Sequence, residues 1–290
     1  MIAYDKLKAH RFEPVVQSYT ARDCWLYALG LNIGADPMDP AALRHAASDS
    51  PEPVVTMPMM LGRPGPWMQD PEVGIDYRRI VVGEVALRLH ARLPPAATLR
   101  ADHSILRITD KGAGRGALVT LLRRLTDTGS GRLLAEYEQV TFCRGDGGFA
   151  VDGRHDPAPP PSSWTVPDRP ADTVLDLATL PQQALIFRLS GDYNPLHSDP
   201  EVARKAGFER PILHGLATMG MVGHALDRLS RDSGGPGLAS LRARLTGPVI
   251  PGEVLRLAVW HEPGSARFRT VDGSGREVVG LGQAEFQNVD

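Results

Sequence analysis

The acid Asp192 and the imidazole of His197 stand five positions apart in SGDYNPLHSDPEVARKAGFERPILHGLATMG, which runs from Ser190 to Gly220. Imidazole moves protons near neutral pH, and an acid beside it can share a water with it. The spacing leaves two readings open. One is a catalytic Asp/His pair; the other is a tight turn in which Asp192 caps Asp192-Tyr193-Asn194-Pro195, with Gly191 ending the helix before it. Asn194 serves either reading, holding the water or the turn. Asp199-Pro200-Glu201 has the order of N-cap, first-turn proline and first-turn acid, so Asp199 is assigned to a short helix over residues 201–206 and left out of the site. Gly215 opens an apolar helix whose first amides have no partners within the helix and whose dipole favours negative charge. That amide is an oxyanion donor for a thioester, or else the glycine serves close helix packing.

Other chemistries lack their signatures. The nine histidines include no HExxH or comparable ligand spacing, so no metal is expected. Cys24 and Cys143 are far apart with no CxxC, which predicts neither a disulfide framework nor a zinc site and fits a reducing compartment. No GxGxxG opens a strand-to-helix crossover, which argues against a nicotinamide cofactor. KGAGRG, residues 111–116, lacks the Gly-Lys-Ser/Thr ending of a phosphate loop and falls between strand patterns, so it reads as a turn with Lys111 at its lip as a candidate phosphate contact.

The elements that must position these residues follow from periodicity. Thr20 with Asp23 resembles a capping box ahead of a helix over 20–29, and a short helix fits 40–47. Residues 48–74 are dense in Pro, Gly and Met and read as irregular, with Met57, Met59 and Met60 filling core or lining an apolar pocket. Val85, Leu87, Leu89, Ala91 and Leu93 alternate with polar neighbours, as in a half-buried strand. Strands at 99–109, 117–127 and 133–142, joined by KGAGRG and TGSGR, make an antiparallel meander. His90 and His103 fall within strands as surface or edge residues. Residues 145–170 carry too much Pro and Gly for a regular element. Beyond them come helices at 182–189 and 215–229 and strands at 239–246, 254–261, 266–272 and 277–286. Leu216, Met219, Gly220, Gly223 and Leu226 lie along one face of the longer helix.

The two halves thus repeat a shape, helices with an antiparallel sheet, in 290 residues that are 42% hydrophobic. We divide the chain into a module at 1–150, a proline-rich linker at 151–172 and a second module at 173–290 that carries the loop. With 32 Lys plus Arg against 34 Asp plus Glu, the net charge of −2 gives no reason to expect nucleic acid or an anionic membrane as a partner. No signal-peptide pattern and no apolar run of membrane-spanning length is present, so the expectation is a soluble, cytoplasmic protein.

The stretch from Ser190 to Gly220 closely resembles the signature of the MaoC-like (R)-specific enoyl-CoA hydratases, the hydratase 2 group, and RARLTGPVIPGEVL resembles the segment that follows it there. TARDCWLYALGLNIG, VVGEVALRLHARLP, DKGAGRG and GDGGF extend the resemblance more weakly through the first half. It implies an α+β double hotdog, each module an antiparallel sheet wrapped around a long helix. It implies hydration of trans-2-enoyl-CoA, or dehydration of (3R)-3-hydroxyacyl-CoA, with no cofactor beyond the substrate's own CoA or acyl carrier protein and with a homodimer as assembly. Asp192 and His197 match the catalytic pair, Asn194 supports the loop, and the amide of Gly215 faces the thioester oxygen. Gly83, Lys111 and Leu245 match acyl-CoA contacts, and Tyr193, Pro195 and Leu196 of the loop are grouped with them. The chain departs from the pattern at Val82, where a His is common, at Phe187 for a Tyr, at Gly247 for a basic residue, and in LRHAASDSPEPVV, where no counterpart of the N-terminal acid is recognisable. Those departures motivate a second reading, a non-catalytic acyl-thioester binder or one subunit of a hetero-oligomeric dehydratase. A hotdog thioesterase is a third, against which the intact loop speaks.

Overall fold

In the computed structural model, which describes residues 1–159 and 164–289, the strands form one ten-stranded sheet in the order β1-β3-β4-β5-β2-β7-β10-β9-β8-β6. The first half supplies α1 (Tyr4–Ala9), β1 (Val15–Tyr19), α2 (Ala21–Gly30), α3 (Pro40–Ala46), β2 (Ile80–Leu89), β3 (Ala97–Asp110), β4 (Ala117–Asp127) and β5 (Leu133–Cys143). The second supplies β6 (Thr173–Ala178), α4 (Gln183–Phe187), α5 (Pro200–Lys205), α6 (Gly215–Asp232), β7 (Leu238–Leu245), β8 (Val254–Glu262), β9 (Ser265–Val271) and β10 (Glu277–Phe286). Every pairing is antiparallel, and the halves join where β2 runs against β7, Glu84 opposite Arg244 through Arg88 opposite Ser240.

Local chemistry accounts for the main boundaries. The Asp23 carboxylate accepts from the amide and hydroxyl of Thr20 at 2.8 and 2.9 Å, which fixes the start of α2. Asp199 accepts from the amides of Glu201 and Val202 and so caps α5. The helix α6 is eighteen residues long against ten for α2, and its glycines let it sit tight in the core. A Cβ on Gly220 would come within 2.5 Å of Leu31 in the first half, and one on Gly223 within 2.4 Å of Thr56.

The halves also interlock away from the seam. The Gln183 amide donates to the carbonyl of Gly30 at 3.1 Å, Asn32 donates to that of Ala178 at 2.9 Å, and Tyr27 packs on Phe187. Met57, Met59 and Met60 are buried in the shared apolar core, which spans both halves. On the outer face, Arg244 pairs with Glu84 at 2.5 Å, Arg242 with Glu138 at 3.3 Å and Arg88 with Glu285 at 3.5 Å. Exposed pairs like these contribute little each, but they keep that face hydrated.

Residues 48–74 are irregular, with short 3-10 turns, as their composition predicts. Three elements escaped the sequence reading: α1, the edge strand β1 and the edge strand β6. The first strand of the meander ends at Leu89, and the burial of Ala91 and Leu93 beyond it comes from the loop tucking back into the core. His90 therefore lies just past β2, where it bonds Glu136 at 3.1 Å, and His103 is half-buried with its Nε2 at 2.9 Å from the Gly62 carbonyl instead of lying on the surface. Of the expected linker, residues 160–163 lie outside the described residues.

Candidate active site

The candidate loop runs from Gly191, whose φ of +107° closes the turn after α4, to the head of α6. Asp192 makes the turn its residue type predicts. Its Oδ1 accepts from the Asn194 amide at 3.3 Å, and the Asn194 side chain in turn accepts from the Leu196 amide at 3.1 Å. Asn194 is thus committed to holding the loop. The two readings of Asp192 are compatible, because a carboxylate has about four acceptor sites and the turn uses one.

His197 donates through Nδ1 to the carbonyl of Ile212 at 2.8 Å. That bond fixes the tautomer, leaving Nε2 as a lone pair. Burial, the largest influence, keeps the ring's pKa below its ordinary 6.5, against the opposing pull of the Ile212 carbonyl and Asp192. A third group, to which sequence reasoning assigned no role, completes the arrangement. His214, the residue before Gly215, stacks on His197 with ring centroids 3.7 Å apart and donates through Nε2 to the backbone carbonyl of Asp192 at 3.1 Å. Burial and then the neighbouring His197 push its pKa down to about 4, so at neutral pH the two stacked rings are uncharged.

Asp192 is ionised despite its surroundings. Burial raises its pKa, but Arg63, His214, the Asn194 amide and His197 together outweigh that and hold it below 3.8. Arg63 is the other residue that sequence reasoning missed. It reaches across from the irregular segment of the first half, its Nη1 3.1 Å from Asp192 Oδ2 and 3.3 Å from the Gly191 carbonyl. The one signal in the sequence was a lone charge framed by glycines in GRPG after the apolar run from Met57 to Leu61.

The loop thus presents two proton acceptors, an ionised carboxylate and a neutral imidazole nitrogen. A water that donates to both turns its own lone pair outward, toward an electrophile. Gly215 heads α6 close by in the chain. A Cβ there would fall 2.5 Å from Leu245 Cδ1, so the close-packing reading of this glycine is met, while its amide still opens the helix. Leu245 ends β7 one residue beyond Arg244, whose partner across the seam is Glu84, the residue after Gly83. Gly83 sits in an irregularity between Val82 and Glu84, where β2 slips relative to β5. Gly83 lies near Phe142, and the ammonium of Lys111 sits 4.8 Å from the centre of the Phe142 ring. Gly215 and Leu245 thus meet at the seam, while Gly83 and Lys111 both lie by Phe142 of β5, the strand on the other flank of β2.

The remaining loop residues stand apart from this line. Tyr193 is 59% exposed with the Arg188 guanidinium over its ring, Pro195 is exposed, and Leu196 is half-buried. KGAGRG is a turn, as expected: the Asp110 carboxylate accepts from the amides of Gly112, Gly148 and Ala150 and clips GDGGF to it. Phe187, where a Tyr was expected, is fully buried against Tyr27 and His214. Among the described residues no cluster of three or more His, Cys, Asp or Glu side chains is placed to hold a metal ion. Nor, among them, is any helix long and apolar enough to cross a membrane.

Two family models match the chain, the MFE-2 hydratase 2 N-terminal domain over residues 17–145 and the MaoC like domain over residues 163–280. An enoyl-CoA hydratase of Mycobacterium tuberculosis, ChsH3, is 39% identical over 86% of this chain and 86% of its own length. A 3-hydroxyacyl-thioester dehydratase of the same organism, type Y, is 39% identical over 96% of this chain and 92% of its own. The crystal structure of a MaoC-like dehydratase from Phytophthora capsici superposes with a TM-score of 0.81 at 28% identity, covering 98% of each chain.

Proposed function

The chain belongs to the MaoC-like hydratase 2 family with the double hotdog fold, and from that premise we propose that it hydrates trans-2-enoyl thioesters, and dehydrates (3R)-3-hydroxyacyl thioesters, at the Asp192/His197 loop. The observation that carries this reading is the pair of acceptors. His197 is tied to Ile212 through Nδ1, which leaves Nε2 to accept, and Asp192 is ionised beside Arg63; we read the two as sharing one water.

The reaction follows from those parts. With a thioester in place, the water donates one hydrogen to Asp192 and the other to His197 Nε2, and its oxygen bonds to C3. The C2=C3 electron pair moves toward the thioester carbonyl, and the negative charge that gathers on its oxygen faces the Gly215 amide at the head of α6. Nε2 takes the proton as the C–O bond forms and returns it to C2 as the enolate collapses, so OH and H are added and nothing else is consumed. Asp192, weakened as a base by Arg63, holds the water and balances the transient imidazolium. The (R) sense of the product is the family's.

The same reading divides the chain at 1–150, 151–172 and 173–290, assigns the first module to the substrate pocket, and takes CoA or acyl carrier protein as the thioester carrier. Leu245 against Gly215, and Gly83 and Lys111 both beside Phe142, support it, and with Tyr193, Pro195 and Leu196 they complete the proposed contact set. We place the protein in the cytoplasm as a homodimer. The test is loss of enoyl-thioester absorbance over a range of acyl lengths. Asp192→Asn and His197→Ala are each expected to lower kcat by about 10²- to 10⁴-fold. Unchanged turnover in both variants rejects the site, and acyl-CoA binding without turnover by the wild type identifies a binding protein instead.

A further inference from the structure

The irregular segment before β2 is held from three sides. The buried Arg123 of β4 donates to the carbonyls of Pro58 and Met59 at 3.2 and 2.6 Å, and its guanidinium lies 4.8 Å from the centre of the Tyr137 ring. Gln17 of β1 accepts from the Gly62 amide at 2.6 Å, and His103 of β3 bonds the Gly62 carbonyl at 2.9 Å. Gly62 itself has a φ of +63°, and a Cβ there would strike Ala101 at 2.4 Å, so the chain is pressed onto the sheet at the residue before Arg63. A charge presented from so fixed a base reaches a definite point, and that point is the outer oxygen of Asp192.

The geometry points to Arg63 as a positioning residue for Asp192, the first half's direct contribution to the chemistry of the loop. This rests on the assignment of Asp192 to the water clamp. The Asn194 amide fixes Oδ1 and Arg63 fixes Oδ2, so the carboxylate is held at both ends in a plane set by the two halves together. The Asp192 side chain is 19% exposed and that of Arg63 39%, so a bound thioester would withdraw both from water. The attraction between them would then grow, and the cost of leaving Asp192 unpaired would grow with it. The other groups facing Asp192 cannot replace this charge. His197 and His214 are neutral, Asn194 offers an uncharged amide, and the Tyr137 hydroxyl is uncharged and donates to Gln139. Arg63 also disfavours protonation of His197, so one guanidinium keeps both acceptors free of protons.

The test is a double-mutant cycle in the full chain, with kcat/KM for an enoyl thioester followed against pH. Arg63→Met is expected to lower kcat/KM at pH 7 by about 10- to 100-fold, with Arg63→Lys recovering part of the loss. In Arg63→Met the acid limb moves to higher pH, which a purely structural contact would not cause. In an Asp192→Asn background, Arg63→Met is expected to change the residual rate by less than about twofold, because the group through which it acts is gone. An equal loss in both backgrounds, or an unmoved acid limb, overturns the inference. If the wild type hydrates no thioester, the functional reading fails separately. The pair is then judged by carboxyl NMR titration of Asp192, where an upward shift in Arg63→Met supports the positioning role and no shift refutes it.

Discussion

The dependence of rate on pH tests the proton inventory of the loop most directly, because the two acceptors make opposite demands on the usual assignments. If His197 receives the proton from water, only its neutral form works in the free enzyme, and kcat/KM falls as the ring is protonated. An imidazole with its ordinary pKa of 6.5 is only about one quarter neutral at pH 6.0. Burial lowers the pKa of His197, so the rate at pH 6.0 should exceed one quarter of its plateau and the acid limb should centre below 6.5. Asp192, held under 3.8, does not contribute to that limb. Replacing Asp192 by Asn removes a charge that favours the imidazolium, so in the residual activity of that variant the limb should move lower still. The assay is kcat/KM by enoyl absorbance from pH 8 to pH 4.5 at constant ionic strength, with circular dichroism to confirm folding at each point. A limb centred at or above 6.5, or a rate that rises on acidification, would refute the neutral-base assignment and make His197 the acid.

Two further outcomes are expected. Gly215→Ala drives a methyl toward Leu245 Cδ1, an overpacking cost of about 1–3 kcal/mol, and should lower kcat by displacing the amide; adding Leu245→Ala should restore part of the rate, and a fully active single variant would show that the contact is not limiting. His214 and His224 are each lowered to about 4, mainly by burial, whereas in the unfolded chain they titrate near 6.5. The unfolded state therefore binds more protons between those values, and stability should decline as pH falls from 6.5 toward 4. Denaturant titrations of His214→Gln and His224→Gln should show a shallower decline than wild type, and equal slopes would contradict the linkage.

Most of the framework was legible because it is written in local patterns. The alternation at the end of β2, the capping of α2 and α5, and the glycine-lined face of α6 each depend on neighbours within a few residues. Asp192, His197, Asn194 and Gly215 were legible as candidates because the stretch that carries them is contiguous. What could not be read was what arrives from elsewhere. Arg63 has no local signal of proton chemistry, and its role depends on Arg123, Gln17 and His103 pinning its segment beside a loop some 130 residues away. His214 sat in plain view before Gly215, but its stacking on His197 depends on how the intervening loop folds back. Strands β1 and β6 were missed for a related reason: each is short and lies at a sheet edge, with only one flank to enforce a pattern.

The pairing of β2 with β7 also sets a timetable for biosynthesis. When β2 leaves the ribosome, β5 soon covers one flank, but the strand that covers the other is roughly 150 residues behind, or about 8–30 s at ordinary elongation rates. Throughout that interval the nascent chain offers an open strand edge to any passing polypeptide. Glu84 and Arg88, which later pair across the seam, are then its guards against mispairing. Only when β7 docks do the two halves share one sheet, so the seam that joins them closes the open edge of β2 at the same step.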